Sequence, residues 1–65
     1  MLGDKIRKLR IKKGLSQEKL ARLANISYNT IVKIESGDSN NPTIQTLSGI
    51  ASALGVSFDE LLNKK

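Results

Sequence analysis

The chain has 65 residues, with eleven Lys and Arg against six Asp and Glu, a net charge of +5 at pH 7, and neither cysteine nor histidine. A chain of this length forms one domain with a small core, and the lack of these two residue types excludes disulfides, thiol chemistry and the usual structural zinc sites. The basic excess suits a polyanionic partner, nucleic acid ahead of anionic lipid, although a solvated surface that keeps a small protein soluble explains it equally well.

Apolar residues recur at helical spacing along almost the whole chain, and no stretch alternates for long with a period of two. This pattern predicts an all-α fold of five short helices. The first helix is expected at residues 2–13, after which Gly14 can supply a left-handed C-cap. Its apolar stripe consists of Leu2, Ile6 and Leu9.

Three serines have the surroundings of helix N-caps. Each follows an apolar residue and stands four residues before another, which is the spacing of a hydrophobic staple. They are Ser16, Ser27 and Ser57, and they predict helices at residues 17–24, 28–35 and 58–62. Glu60 is placed to complete a capping box with Ser57.

The fourth helix is expected at residues 44–54, after Pro42-Thr43 and before Gly55. Gly49 inside it costs roughly 1 kcal/mol relative to Ala, and either a close helix approach or sequence drift explains its presence. Periodicity also predicts the buried faces of the middle helices. These faces comprise Leu20, Ala21, Leu23 and Ala24 in the second helix and Ile31 and Ile34 in the third. The fourth helix carries the apolar residues Ile44, Leu47, Ile50, Ala51 and Leu54.

The link between the second and third helices is short, because Asn25 and Ile26 alone separate Ala24 from the Ser27 cap. Asn tolerates the positive φ that such a turn needs, and Ile26 is expected to point inward and anchor it. So tight a link favours a steep crossing, the helix-turn-helix arrangement, over an antiparallel hairpin. Together with the basic charge and Gln17 at the start of the second helix, it predicts binding to double-stranded DNA, although many other helical domains contain one tight turn.

Longer stretches of the sequence resemble the Cro/C1-type helix-turn-helix (XRE-like) family of phage and bacterial transcriptional repressors. The matching stretches are IRKLR at 6–10, GLSQEKLA at 14–21, IVKIESG at 31–37, PTI at 42–44 and ASALGVS at 51–57. The segment DSNNP at 38–42 is also similar to the DNA-binding domain of SinR-type regulators. The resemblance covers essentially the whole chain and implies a lambda-repressor-like DNA-binding domain.

The resemblance also implies roles for individual residues. Tyr28, Asn29 and Lys33 match exposed positions of the third helix that read base edges in the major groove. Gln17 matches a residue that reaches a phosphate and braces the recognition helix, although an ordinary surface role is the alternative. The residues expected near DNA phosphates are Gln17, Ser27, Thr30, Asn40, Asn41 and Thr43.

Tyr28 departs from the phage repressors, which often have Gln at this position. Gln pairs bidentately with adenine, whereas Tyr donates one hydrogen bond to a phosphate or base, or presses its ring against a thymine methyl. Alternatively, the ring packs on Lys or Arg stems at the surface. Direct readout is therefore expected to rest mainly on Asn29, which suits adenine, and Lys33, which suits guanine.

Arg10 and Glu35 match a pair that forms a salt bridge between the first and third helices in some relatives, and a structural role is favoured over DNA contact. In the last helix, Phe58, Leu61 and Leu62 are expected to cap the core and to leave some apolar surface, Leu62 first, for contact with a second copy. A homodimer on a pseudo-palindromic operator is expected, because one domain this small buries too little surface for tight specific binding.

An enzyme is not expected, because the sequence has no phosphate loop and no carboxylate pair suited to a cleft. No cofactor, metal, membrane or small-molecule ligand is expected either. The N-terminus lacks the apolar stretch of a signal peptide, and the absence of cysteine fits the expected cytoplasmic location. Two alternatives to a repressor remain. One is an antitoxin-like subunit or adaptor that mainly binds another protein through an apolar surface, and the other is a restriction-modification controller that also activates.

Overall fold

The computed structural model describes residues 2–38 and 42–62, which fold into five α-helices. The helices are α1 (Leu2–Lys12), α2 (Gln17–Ala24), α3 (Tyr28–Ser36), α4 (Ile44–Leu54) and α5 (Phe58–Leu62). The all-helical prediction is confirmed, and every helix end falls within one residue of its predicted place. None of the described helices is long and apolar enough to cross a membrane.

A Ser or Thr hydroxyl caps the N-terminus of each helix after α1. In each case the side-chain oxygen accepts a hydrogen bond, 2.9–3.2 Å long, from the backbone N–H three residues later. The caps are Ser16, Ser27, Thr43 and Ser57. A cap of this kind stabilises its helix by about 1 kcal/mol. Within the described residues Glu60 makes no return bond to the Ser57 N–H, so half of the predicted capping box is missing.

The turn between α2 and α3 is built around Asn25, whose φ of 60° and ψ of 43° are left-handed as predicted. Its backbone N–H donates to the carbonyls of Ala21 and Arg22, and the Ile26 N–H donates to the Ala21 carbonyl at 2.9 Å. These bonds satisfy the last carbonyls of α2 and let the chain change direction within two residues. Ile26 is partly buried against the core, as its anchoring role requires.

The core lies between the five helices. Its fully buried large side chains are Ile6, Leu20, Ile31, Ile34, Ile50, Leu54 and Leu61. α2 packs against α3 and α4, α1 packs against α3, and α5 packs against α1 and α4. Because α1 and α2 both hold α3 from its apolar side, the opposite face of α3 is left to solvent.

Leu23, predicted to be buried, lies on the surface, and so does the apolar residue Ile44. Leu23 is 53% exposed and Ile44 is 75% exposed. Helical periodicity places Leu23 at the edge of the stripe formed by Leu20 and Ala24, where no described helix covers it. Ile44 is the first residue of α4 and lies one turn before Leu47, the first side chain of that helix to reach the core.

Gly49 in α4 marks a close approach between two helices. A Cβ atom at this position would lie 2.6 Å from the carbonyl oxygen of Ala24, at the end of α2. Steric necessity, not drift, therefore explains this glycine. Gly3 likewise allows a close approach between α1 and α3, because a Cβ atom there would overlap the carbonyl oxygen of Ile34. No motif in the sequence points to Gly3.

Candidate nucleic-acid interface

The solvent face of α3 carries the three side chains predicted to read bases. Tyr28 is 51% exposed, and Asn29 and Lys33 are exposed as well. Asn29 and Lys33 are four residues apart, so their side chains lie on the same side of the helix. Ile31 and Ile34 hold the opposite side of α3 in the core. Within the described residues no side-chain hydrogen bond occupies the three exposed residues, so their polar groups are available to a ligand.

Ser27 and Thr30 form a hydroxyl pair at the N-terminus of α3. Their hydroxyl oxygens are 2.7 Å apart, and Ser27 Oγ also accepts the Thr30 N–H at 3.2 Å. One of the two hydroxyl protons is used between them, so the pair can donate one O–H outward. That donor lies at the positive end of the helix dipole, which favours a bound anion.

Behind the solvent face of α3, Arg10, Gln17 and Glu35 join α1, α2 and α3. Arg10 Nε and Nη2 donate to the two carboxylate oxygens of Glu35 at 2.7 and 3.0 Å. Arg10 Nη1 donates to the Leu15 carbonyl at 2.7 Å. Gln17 Nε2 donates to Glu35 Oε1 at 3.2 Å. The expected Arg10–Glu35 ion pair is therefore present, and Gln17 contacts α3 through the same carboxylate.

This ion pair is largely removed from solvent, with the Arg10 side chain 12% exposed and that of Glu35 3% exposed. Hydrogen bonding to Glu35 raises the pKa of Arg10 above its ordinary value, burial opposes the rise, and the negative charge of Glu35 adds to it. A buried carboxylate is costly unless it is paired and hydrogen-bonded, and here three N–H groups reach it. The geometry favours a structural role for Arg10 over a contact with a phosphate.

At the start of α4, Thr43 is exposed and caps the helix. Its hydroxyl donates to Thr46 Oγ1 at 2.9 Å and accepts the Thr46 N–H at 3.1 Å. The Thr43 hydroxyl proton is thus used, and the Thr46 hydroxyl is the one that can donate to a ligand at this end of α4. No sequence motif points to Thr46. Asn40 and Asn41, the other residues predicted to contact phosphates here, lie outside the described residues.

The N-termini of α2 and α3 flank a groove of about 460 Å³. It is lined by Ser16, Gln17, Glu18 and Tyr28. Two residues predicted to contact DNA, Gln17 and Tyr28, thus border one groove although they belong to different helices. Glu18 is exposed and was not among the predicted site residues. In the sequence alone, an acid in the first turn of a helix indicates no more than a favourable dipole interaction.

The predicted contact between copies needs correction at Leu61. This side chain is 1% exposed and belongs to the core, so it cannot meet a second copy in this conformation. Phe58 is half-buried against the core, and Leu62 is 44% exposed. Among the described residues, the last helix does not hold all of the exposed apolar surface. Exposed large apolar side chains on the other helices are Ile11, Leu23 and Ile44.

Comparison with known proteins gives a consistent assignment. The helix-turn-helix family matches residues 6–61. The HTH-type transcriptional regulator SinR of Bacillus licheniformis is 37% identical over 65 residues, which make up 100% of this chain and 59% of that protein. The chain therefore spans about three fifths of the length of this relative.

Two solved structures share the fold. The crystal structure of SinR, the master regulator for biofilm formation, in complex with DNA has a TM-score of 0.93 at 35% identity, covering 97% of this chain and 100% of that one. The restriction-modification controller protein C.AhdI from Aeromonas hydrophila has a TM-score of 0.87 at 35% identity, covering 92% and 89%. These relatives are regulators and not enzymes, in line with the sequence-based expectation. By its matched residues and its fold, the chain belongs to the Cro/C1-type helix-turn-helix family of transcriptional regulators.

Proposed function

We propose that this chain binds double-stranded DNA in a sequence-specific manner as the DNA-binding part of a transcriptional repressor. The observation that carries the proposal is the exposed polar face of α3 with the N-terminus of α2 beside it. The related SinR structure contains DNA and has the same fold. A net charge of +5 suits the same polyanionic partner.

In the proposed complex α3 lies in the major groove. The Asn29 amide can pair bidentately with adenine N6 and N7, and Lys33 can donate to guanine O6 or N7. Because these residues lie one turn apart on α3, they would read neighbouring bases. Tyr28, at the N-terminus of α3 and beside the α2 groove, would contact a thymine methyl or a phosphate at the edge of the same site.

Gln17 is proposed to contact a phosphate while it remains bonded to Glu35. Its side-chain amide carries two N–H donors. Glu35 Oε1 takes one of them at 3.2 Å, which leaves the other for a phosphate oxygen. The other proposed phosphate ligands include two hydroxyl pairs, Ser27 with Thr30 and Thr43 with Thr46, each of which would donate its remaining O–H. Asn40 and Asn41 complete the proposed set.

The proposed functional species is a homodimer on a pseudo-palindromic operator. Two copies related by a two-fold axis would place their α3 helices in successive major grooves, about 34 Å apart. Leu62 and the exposed part of Phe58 are the proposed contact between copies. This patch is small, so we expect a monomer in free solution and pairing on DNA.

Repression is proposed over activation because the sequence resembles phage and bacterial repressors. The similarity to C.AhdI supports a second candidate, a restriction-modification controller that also activates. A reporter assay separates the two, because a repressor lowers transcription at every protein concentration, whereas an activating controller raises it over part of the range. The cytoplasm, where such a promoter is transcribed, is the proposed location.

Selection of bound sequences from random duplex DNA tests the proposal, with the mass of the bound species measured by analytical ultracentrifugation. We expect one pseudo-palindromic consensus that is occupied by two copies. For a dimer with roughly 6–10 phosphate contacts, the affinity should fall about 10³–10⁵-fold between 50 and 200 mM salt. Absence of any enriched sequence, or affinity that does not change with salt, would refute the proposal.

A protein-binding adaptor or antitoxin-like subunit is the alternative that the exposed apolar residues favour. Leu23 on α2 is the clearest case, since it lies outside the core on a regular helix. Apolar residues scattered singly over a surface are common, so this observation carries less weight than the face of α3. A Leu23→Ser variant should keep its operator affinity if the chain acts through DNA, whereas loss of regulation with unchanged DNA binding would indicate the adaptor.

A further inference from the structure

Glu18 introduces a negative charge where the proposed complex has phosphates. It lies in the first turn of α2 and lines the same groove as Gln17 and Tyr28. Its side chain is exposed, and the described residues offer it neither a hydrogen bond nor an ion pair. An unpaired carboxylate thus lines the same groove as two proposed DNA contacts.

Two structural roles do not require DNA. An acid in the first turn interacts favourably with the helix dipole, and Asp59 does the same at the equivalent second position of α5. Arg22 follows Glu18 by four residues, which is the spacing of a helical ion pair. The structure contains no salt bridge between Glu18 and Arg22. Of these two roles the dipole interaction remains, and it does not remove the repulsion between this carboxylate and a phosphate bound at the same groove.

We infer that Glu18 limits the affinity of the chain for DNA by opposing the phosphates next to Gln17. This inference rests on the proposed function. Glu18 adjoins Gln17 in the chain, so a phosphate bound by Gln17 would lie within about one Debye length, roughly 10 Å at 0.1 M salt, of the Glu18 carboxylate. Repulsion at that range raises the free energy of the complex.

The repulsion is independent of the base sequence, because duplex DNA carries one phosphate charge per roughly 1.7 Å whatever its bases. Glu18 therefore weakens binding to operator and to random duplex alike, and tight binding then depends on the base contacts of α3. A carboxylate can also accept a hydrogen bond from cytosine N4. Glu18, however, belongs to α2 and borders Gln17, whereas the exposed polar face of α3 carries the proposed base readers.

The test compares Glu18→Gln with Asp59→Asn, since each change removes one negative charge from the second position of a helix. We expect Glu18→Gln to tighten binding about three- to five-fold per bound copy at 0.1 M salt, and the gain to shrink as salt rises. The gain should be equal for the selected operator and for random duplex. Asp59→Asn should leave both affinities nearly unchanged, and thermal melts confirm that both variants fold.

Measuring the affinity gain of Glu18→Gln again in an Arg22→Gln background separates direct repulsion between Glu18 and a phosphate from an effect of Glu18 on Arg22. An undiminished gain there supports the inference, whereas a lost gain would mean that Glu18 acts by neutralising Arg22 and would overturn it. A changed consensus would make Glu18 a base reader, which also overturns the inference. Unchanged affinity of Glu18→Gln, in a parent that binds with the expected salt dependence, sinks the inference alone. A parent that binds no duplex refutes the proposed function and the inference together.

Discussion

Replacement of Arg10 by methionine removes a charge from the interior while keeping much of the side-chain volume. The change deletes both hydrogen bonds to the Glu35 carboxylate, at 2.7 and 3.0 Å, and the bond to the Leu15 carbonyl at 2.7 Å. The Glu35 side chain, which is 3% exposed, keeps one hydrogen bond, from Gln17. Breaking one partner of a buried pair costs about 3–5 kcal/mol, because the other charge is left uncompensated.

That cost is a large share of the stability of a small domain, which is about 5–15 kcal/mol in total. A loss of about 3 kcal/mol corresponds to a fall in Tm of roughly 12–24 °C at this chain length. Circular dichroism melts measure the change, and operator affinity is measured well below the lowered Tm. At that temperature the affinity should change much less than the stability, because Arg10 lies behind the proposed DNA-facing surface and its side chain is 12% exposed.

The double variant Arg10→Met, Glu35→Leu is the matched control. It removes both charges, and replacing a buried ion pair by apolar residues of similar volume is often neutral or stabilising. Its Tm should therefore recover most of the loss seen with Arg10→Met alone. If Arg10→Met melts like the parent but no longer binds DNA, Arg10 is a phosphate ligand and the assigned role is wrong.

Asn29→Ala and Lys33→Ala should each cost about 1–3 kcal/mol in operator affinity and relax base preference at different positions. Gln17→Ala should weaken binding to all sequences about equally, because a phosphate contact carries no sequence information. A shifted consensus with Gln17→Ala alone would reverse these roles. Gly49→Ala should lower the free energy of unfolding by about 1–3 kcal/mol in thermal melts, since the new methyl would press on the Ala24 carbonyl. An unchanged Tm would mean that α4 can move away from α2 at little cost. Moving the two half-sites apart by half a helical turn should abolish cooperative binding in gel-shift titrations, and a lone half-site bound as tightly as the full operator contradicts the dimer.

The helix boundaries were predictable because their signals are local. Ser16 and Ser27 each cap a helix through a backbone N–H three residues away, and Asn25 adopts the conformation that so short a turn demands. Such features depend on a few neighbouring residues and little on the rest of the fold. They therefore place α2 and α3 correctly from sequence alone.

The exposure of individual side chains depends on which helices pack together, and local sequence signals do not predict it. Periodicity groups Leu23 with the core, and only the arrangement of the neighbouring helices leaves it exposed. Thr46 and Glu18 likewise become candidates for the interface through the helix ends at which they lie, not through any motif. The sequence left Leu61 between the core and a contact with a second copy, and only the packing of α5 on α1 and α4 places it in the core.

The hydrogen bond from Gln17 to Glu35 has an entropic consequence for recognition. A free glutamine on a surface samples several rotamers, and ordering such a side chain on a ligand costs about 0.5–1.5 kcal/mol. Here Glu35 holds the Gln17 amide at 3.2 Å, and Arg10 in turn fixes both oxygens of Glu35. The rotamer is thus selected when the chain folds, before any phosphate arrives. A phosphate bound by the remaining N–H of Gln17 would therefore meet a side chain that is already ordered, so less conformational freedom would be lost on binding than with an unrestrained side chain.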